Sequence, residues 1–426
     1  MYGKILLSTV LKCLIVFSVI LFFEVYFFSI RPNKDEINFI NSLNELGSIN
    51  YLSSLYSTWT PRVFGSGLLF LVWKLCPNMA YLWVFTGVIY SAVFIYSIVT
   101  FKKIVADHFQ TANTKIDSYL VSVLFFASLF FICTRPAEIF GWYPCFLIYL
   151  LPCILSIILI LKEHLNYSMI YFSVFIIASG AEHIAIFSNA AIAILLINNF
   201  KYSQRKRKQL LVFLALNILL ILFFTFTSGS FSRMLYEKGT QTSSFSASFY
   251  SLVTSQFSPY LLIGILLSFV IALHLPDLSS RINLKRLLLI CTAGYIITFT
   301  FYLIVFSNTA TGQRIWFLTN VLNIFLIMYL IHFLMKKFNH LRLLRTLSLS
   351  TTFLVLVTFF SLHSVKLINY SVKYNNTVYA YQHFKLKSWL KSVPDPGITS
   401  NDFPDFYNDM YIKFFNPNPS INVSDN

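Results

Sequence analysis

Long continuous apolar stretches separated by short polar loops set the pattern of this chain. They lie at 5–30, 63–76, 79–101, 118–133, 142–161, 167–183, 184–200, 210–228, 259–275, 286–307, 315–335 and 346–363. An apolar run of about 18 or more residues crosses a hydrocarbon core of roughly 30 Å as a helix. A spanning β-barrel would show weak alternation in segments of about ten residues, whereas these runs are apolar at successive positions. The pattern predicts an all-α polytopic membrane protein. The first run is too long for a signal-peptide core and no small-residue cleavage site follows it, so it is expected to remain as an anchor.

The polar breaks give an orientation. Lys102 and Lys103, Lys201 with Arg205-Lys206-Arg207-Lys208, Arg281 with Lys285 and Arg286, and Lys336, Lys337, Arg342 and Arg345 all sit in or beside short loops. Such enrichment marks the cytoplasmic side. It places 201–209, 277–286 and 336–345 inside, and 31–62, 134–141, 229–258, 308–314 and the tail from Ser364 outside. A chain that starts inside and ends outside crosses an odd number of times, yet twelve runs are present. One is therefore expected not to cross. The suspects are 63–76, which is short and carries Lys74, and the pair 167–200, interrupted by Ser179-Gly180-Ala181-Glu182-His183. Re-entrant backbone is tolerated where protein buries it.

Two domains are expected: a transmembrane unit, 1–363, and an outer tail, 364–426. Within the loop 31–62, Ile37, Ile40, Leu43 and Leu46/Gly47 recur at helical spacing, which predicts an amphipathic helix on the membrane surface. A second helix is expected at Tyr51 to Tyr56. The tail is read as a small cap, helical from Lys373 to Leu390.

Composition narrows the function classes. Hydrophobic residues make up 57% and charged residues 11% of the 426 positions, and 46 Phe and 25 Tyr suit lipid-facing surfaces and interfacial belts. The net charge of +16 would fit nucleic acid if it formed one solvated patch. Dispersed in short loops, it fits topology and contact with anionic lipid instead, and no nucleic-acid partner is expected. Cysteines 13, 76, 133, 145, 153 and 291 lie in or beside spans without metal-like spacing, and no metal site is expected from them. There is no GxGxxG, P-loop, HExxH or GxSxG, so a donor brought by the membrane is simpler than a soluble nucleotide.

Four constellations are able to carry chemistry. Asp35-Glu36 follows Pro32, which ends the first helix near Arg31. A carboxylate there can act as general base on an acceptor hydroxyl at the membrane edge; the bland alternative is a favourable charge at a helix N-terminus. Arg62, Arg135 and Arg314 are isolated outer-side arginines, suited to a phosphate or to snorkelling at the interface. Glu182-His183 interrupts an apolar stretch, where a carboxylate costs about 2.5–3.5 kcal/mol on insertion scales; it lines a polar cavity or forms a satisfied structural pair. Trp142-Tyr143-Pro144 and Tyr149 open a span, as interfacial anchors or as rings that stack on sugars.

The order of these elements resembles the membrane-embedded GT-C glycosyltransferases, in particular the serotype-converting O-antigen glucosyltransferases of enteric bacteria. The likeness is carried by Pro32, Asp35-Glu36 and Trp59-Thr-Pro-Arg62, by Gly141-Trp142 with Tyr149-Leu-Leu-Pro152, by Gly180-Ala-Glu182-His183, and by Gly312-Gln-Arg314. It spans about residues 20 to 320. Pro61 stands where relatives often carry Gly.

The resemblance implies a GT-C-like bundle of about 9–11 transmembrane helices with an outer first loop and a small periplasmic C-terminal cap. It implies a bacterial inner membrane location, with the N-terminus cytoplasmic and the C-terminus periplasmic. The implied donor is an undecaprenyl-phosphate-type sugar, supplied by a donor synthase and a flippase, and the acceptor a lipid-linked O-antigen or other surface polysaccharide. No further cofactor is implied, and a divalent metal is left open. Asp35 and Glu36 would be catalytic; Trp59, Arg62, Arg135, Trp142, Tyr149, Glu182, His183 and Arg314 would bind sugar and phosphate. An O-antigen polymerase and a lipid-linked glycan flippase are the alternatives.

Overall fold

The computed structural model describes residues 2–29, 43, 45–54, 67, 71, 74–75, 79–109, 115–133, 136, 139–140, 146–162, 165–197, 203–225, 245–258, 260–275, 284–305, 313–335 and 341–384. Among them there is no strand. The helices are α1 (Tyr2–Ser29), α2 (Ser48–Ser54), α3 (Met79–Phe109), α4 (Lys115–Ile132), α5 (Leu151–Leu161), α6 (Tyr167–Ala178), α7 (Glu182–Ile197), α8 (Gln204–Thr225), α9 (Phe245–Ser255), α10 (Leu261–His274), α11 (Leu284–Val305), α12 (Phe317–Met335) and α13 (Leu341–Phe384). A π-helix, Phe146–Leu150, leads into α5, and a 3₁₀ turn, Gln313–Trp316, leads into α12. Six of these helices are long and apolar enough to cross a membrane: α1, α3, α8, α11, α12 and α13. Five shorter apolar helices pack with them. The chain is an all-α polytopic membrane protein.

Side-chain contacts fix the direction of each helix. Lys12 and Asp117 form an ion pair at 2.7 Å, which puts the start of α4 beside the first half of α1. Arg345, near the start of α13, donates to the Leu273 carbonyl at the end of α10. Buried Lys206, near the start of α8, donates to the carbonyls of Leu159 and Lys162 at the end of α5. Its neighbour Gln209 donates to Leu165 just before α6. These ends share one face, which also holds Arg205, Arg207 and Lys208, all exposed. We call it the basic face.

Ring contacts carry the alternation to the other side. Phe22 stacks on Phe360 at 4.2 Å and Phe23 lies 4.5 Å from Phe94; with Lys12–Asp117 at the basic face, they run α1 alongside α13 and against α3. Tyr302, near the end of α11, meets Trp316, just before α12. Among the described residues, α1, α3, α4, α5, α6, α7, α8, α10, α11, α12 and α13 alternate in direction. Eleven alternating helices among the described residues agree with the odd parity expected of the chain. Of the suspect run 63–76, Gly67, Leu71, Lys74 and Leu75 are described, and Leu71, Lys74 and Leu75 are exposed; the rest lies outside the described residues. The other suspect, 167–200, is an antiparallel pair, α6 and α7, and a hairpin leaves parity unchanged.

The core sits around α4, where residues 120–133 are all buried. Helices α1, α3, α10 and α12 pack on it. Polar side chains inside this apolar bundle are satisfied largely within their own helices. Ser97, Ser122, Ser268 and Thr298 each donate to the carbonyl four residues earlier, the local solution open to a hydroxyl where water is absent.

Two expectations are corrected. The second loop helix begins at Ser48 rather than at Tyr51, because Gly47 at φ +73° starts a new segment there; Tyr56 lies outside the described residues. Leu43 and Tyr51 are buried and Leu46 is exposed; Ile37 and Ile40 lie outside the described residues. In the tail, helix does not begin at Lys373. α13 continues without a break across the boundary expected at Ser364, reaching Phe384. Its 44 residues span about 66 Å at 1.5 Å per residue, more than twice a hydrocarbon core.

Candidate functional site

The face opposite the basic one gathers the described candidates, and a backbone joint holds them. Pro152 lies in the first turn of α5 and has no N–H to offer the carbonyl four residues earlier, that of Ile148. The π-helix at Phe146–Leu150 accompanies this interruption. The Ile148 carbonyl is taken instead by the N–H of Ala181 at 3.0 Å, from the break between α6 and α7. Gly180 makes that approach possible. A Cβ there would stand 2.7 Å from Pro152 Cγ, 3.0 Å from the Ile148 oxygen and 3.2 Å from the Ile176 oxygen. Tyr149-Leu-Leu-Pro152 and Gly180-Ala-Glu182-His183, about thirty residues apart, are thus two halves of one seam. One turn further on, Ser156 and Ser188 hydroxyls meet at 2.6 Å, each also within reach of its own helix carbonyl.

This seam brings Tyr149 and His183 together. Their ring centroids are 5.8 Å apart, and the imidazole also lies 5.1 Å from the Phe301 ring. Tyr149 and His183 are buried, His183 fully. Glu182 is half-buried at the first position of α7, where a carboxylate is favoured by the helix dipole. Phe301 packs in turn against the cluster of Tyr302, Ile315 and Trp316. The backbone of Arg314 lies in that 3₁₀ turn, so three sequence-predicted positions and the turn carrying a fourth share one end of the bundle. Trp316 is held by Nε1 donating to Ser251 Oγ at 3.3 Å.

α1 ends at Ser29 on the same side. Near that end Phe27 packs against Tyr90 at 5.5 Å, and Tyr90 against Phe146 at 4.4 Å, tying it to the π-helix that carries Tyr149. The chain then continues toward Asp35 and Glu36. These two, with Trp59, Arg62, Arg135 and Trp142, lie outside the described residues, as does the Arg314 side chain.

Sequence reasoning missed the roles of four charged residues: Glu24, the pair Lys12 and Asp117, and Lys206. Glu24, in the middle of an apolar run, accepts from Ser91 Oγ of α3 at 2.7 Å and 2.6 Å on its two oxygens. Its helix row includes Phe17, Leu21 and Phe28, all exposed; a lone carboxylate in a spanning run was the available signal. Asp117 pairs with Lys12, and Lys206 caps α5 although it sits in a cluster that reads as topology alone. A polar chain also went unread: Tyr295 donates to Asn323, Asn323 to Gln256, and Gln256 to Thr319. Among the described residues, no three of His, Cys, Asp and Glu are placed to hold a metal ion. No family model matches this chain, and neither the curated proteins nor the solved structures contain a match to it.

Proposed function

We propose that this protein is an inverting glycosyltransferase of the bacterial inner membrane. It would move a hexosyl group, in the first instance glucosyl, from a polyprenyl-phosphate sugar to a lipid-linked O-antigen or other surface polysaccharide on the periplasmic face. The observation that carries this reading is the seam between Ile148-Pro152 and Gly180-Ala181, which seats Tyr149, Glu182 and His183 next to the turn bearing Arg314. Aromatic, imidazole and carboxylate groups at one membrane face suit a sugar ring and its hydroxyls, and a guanidinium suits the phosphate that leaves. The resemblance in element order supports the same reading.

In this mechanism the donor phosphate sits near Arg62 and Arg314. Asp35 or Glu36 removes the proton from an acceptor hydroxyl, and the oxygen attacks the anomeric carbon as the bond to phosphate breaks. Polyprenyl phosphate departs with the electron pair, and the configuration inverts. Glu182 and His183 line the sugar site. The basic face would be cytoplasmic by the positive-inside rule, and residues 31–62 periplasmic.

The test is acceptor modification by Asp35→Asn and Glu36→Gln separately, at wild-type expression. Loss in one variant by a factor of about 10²–10⁴, the contribution of a positioned base, is expected. Normal modification by both would sink the mechanism. Residues 31–62 found inside the cell would sink it equally.

A further inference from the structure

A second site lies on the flank of the bundle, away from the seam, and does not depend on the reading above. α1 and α3 run antiparallel, with Phe23 4.5 Å from Phe94 and Phe27 5.5 Å from Tyr90. Beside these buried contacts each helix turns a row outward: Leu21, Glu24 and Phe28 on α1, Val88, Ser91 and Ile95 on α3. The four apolar members are exposed, and Glu24 and Ser91 are half-buried. Both rows step by three and then four residues, the spacing with which one helix offers a seam to another. In each row the polar residue is the middle one, and the two meet in the groove between the helices, Ser91 Oγ lying 2.7 Å and 2.6 Å from the Glu24 oxygens. That hydroxyl has a single hydrogen and serves one oxygen at a time. Among the described residues no second donor reaches Glu24. The carboxyl is therefore half satisfied, about 8 Å inside the outer end of α1. Hydrocarbon suits Leu21, Phe28, Val88 and Ile95, but it offers a carboxyl nothing.

We propose that this groove docks a membrane-spanning helix of a partner protein, one that carries a lysine or arginine at the depth of Glu24. Charge decides the chemistry of the partner. A cation supplies the donor that a carboxyl holds most strongly, and polar side chains join helices across a membrane by such contacts. The exposed apolar residues above and below Glu24 give that helix its packing surface, and Ser91 keeps the groove floor narrow enough for close approach. A second copy docked through the same groove would set Glu24 against Glu24, like against like, so the occupant is a different chain.

The test places fluorophore-labelled full-length protein in phosphatidylcholine vesicles with a synthetic spanning peptide of leucine and alanine. The peptide carries one lysine at the depth of Glu24, or leucine in its place, and association is read by energy transfer. Wild-type protein is expected to bind the lysine peptide about tenfold more tightly than the leucine peptide, the ratio given by one polar contact between helices in a membrane. Glu24→Gln, which keeps the shape of the side chain, should bring that ratio close to one. Val88→Trp, which fills the groove, should weaken both peptides. Leu222→Phe, at an exposed position of α8, should change neither. Equal binding of the two peptides by wild-type protein overturns the proposal without any variant. So does a preference that survives Glu24→Gln, or unchanged binding in Val88→Trp. Energy transfer between two labelled copies without peptide, lost in Glu24→Gln, overturns the choice of occupant in favour of a second copy. A preference erased when phosphatidylethanolamine replaces phosphatidylcholine overturns it in favour of a lipid amine.

Discussion

At the scale of single residues, Gly180 has the clearest demand placed on it. The atoms nearest a new Cβ are a proline ring and two backbone oxygens, none the free end of a flexible side chain. Gly294 is different, since there the nearest atoms are side-chain carbons of Leu322 and Phe187 that can turn aside. Gly180→Ala is expected to destabilise the protein by about 1–3 kcal/mol, the usual result of forcing a methyl group into a packed site. It should also separate Tyr149 from His183. A detergent melting curve compared with that of Gly294→Ala checks this, and an equal midpoint for the two variants would show that the seam is not tight. The charged residues inside the bundle follow a related rule. Lys12 and Asp117 are held together in a nearly dry setting, where losing one partner strands the other. Lys12→Met or Asp117→Leu alone should cost about 3–5 kcal/mol, and the double variant far less than their sum. A double-mutant cycle on chemical denaturation reads the coupling directly, and additive losses would argue against it.

At the scale of elements, two of the shorter helices, α4 and α10, lie at the centre. α10 has 14 residues, about 21 Å at 1.5 Å per residue, and packs against α4, α12 and α13. Its close contact with α4 rests on Gly264, where a Cβ would lie 2.4 Å from Ile132 Cγ1, an approach that small residues permit between helices in a membrane. The pair α6 and α7 is bound to its neighbours through backbone groups: the Gln209 and Asn217 side chains donate to the carbonyls of Leu165, just before α6, and Ala185, and the Ala181 N–H donates to the Ile148 carbonyl. Such contacts supply what a helix break loses, which is why the interruption at Ser179–Ala181 can lie within the bundle. Apolar length and the interruption were both legible in the sequence. The docking of that interruption onto a proline-freed carbonyl was not, because the N–H and C=O belong to segments that no local pattern relates.

At the scale of the whole molecule, eleven alternating helices put the two ends of the described chain on opposite faces. Reporters fused after Lys208 and after Phe384 are expected to fall on opposite sides of the membrane, with a fusion after Ser29 on the side of Phe384. Reporter activity on the same side for Lys208 and Phe384 would break the alternation. The long α13 then carries its C-terminal third away from the bilayer on the face where Tyr149, His183 and the Arg314 turn lie. Lipid enters the picture at this scale too, through exposed rows such as Phe17, Leu21 and Phe28 on α1, which are expected on a surface meeting hydrocarbon.

The order of apolar runs, the position of the Lys and Arg clusters, and the punctuation by Pro152 and Gly180 are local properties, and they suffice to establish an all-α chain that crosses a membrane many times with one basic face. Hydrophobic length and loop charge act through the bilayer itself, so they need no partner segment to take effect. Tertiary structure alone decided which helices are central, that Lys206 is a buried cap rather than a surface charge, that Glu24 reaches Ser91, and that Ala181 answers Ile148. In hydrocarbon every polar group must find its partner within the protein, and which partner comes within 3 Å depends on how whole helices pack.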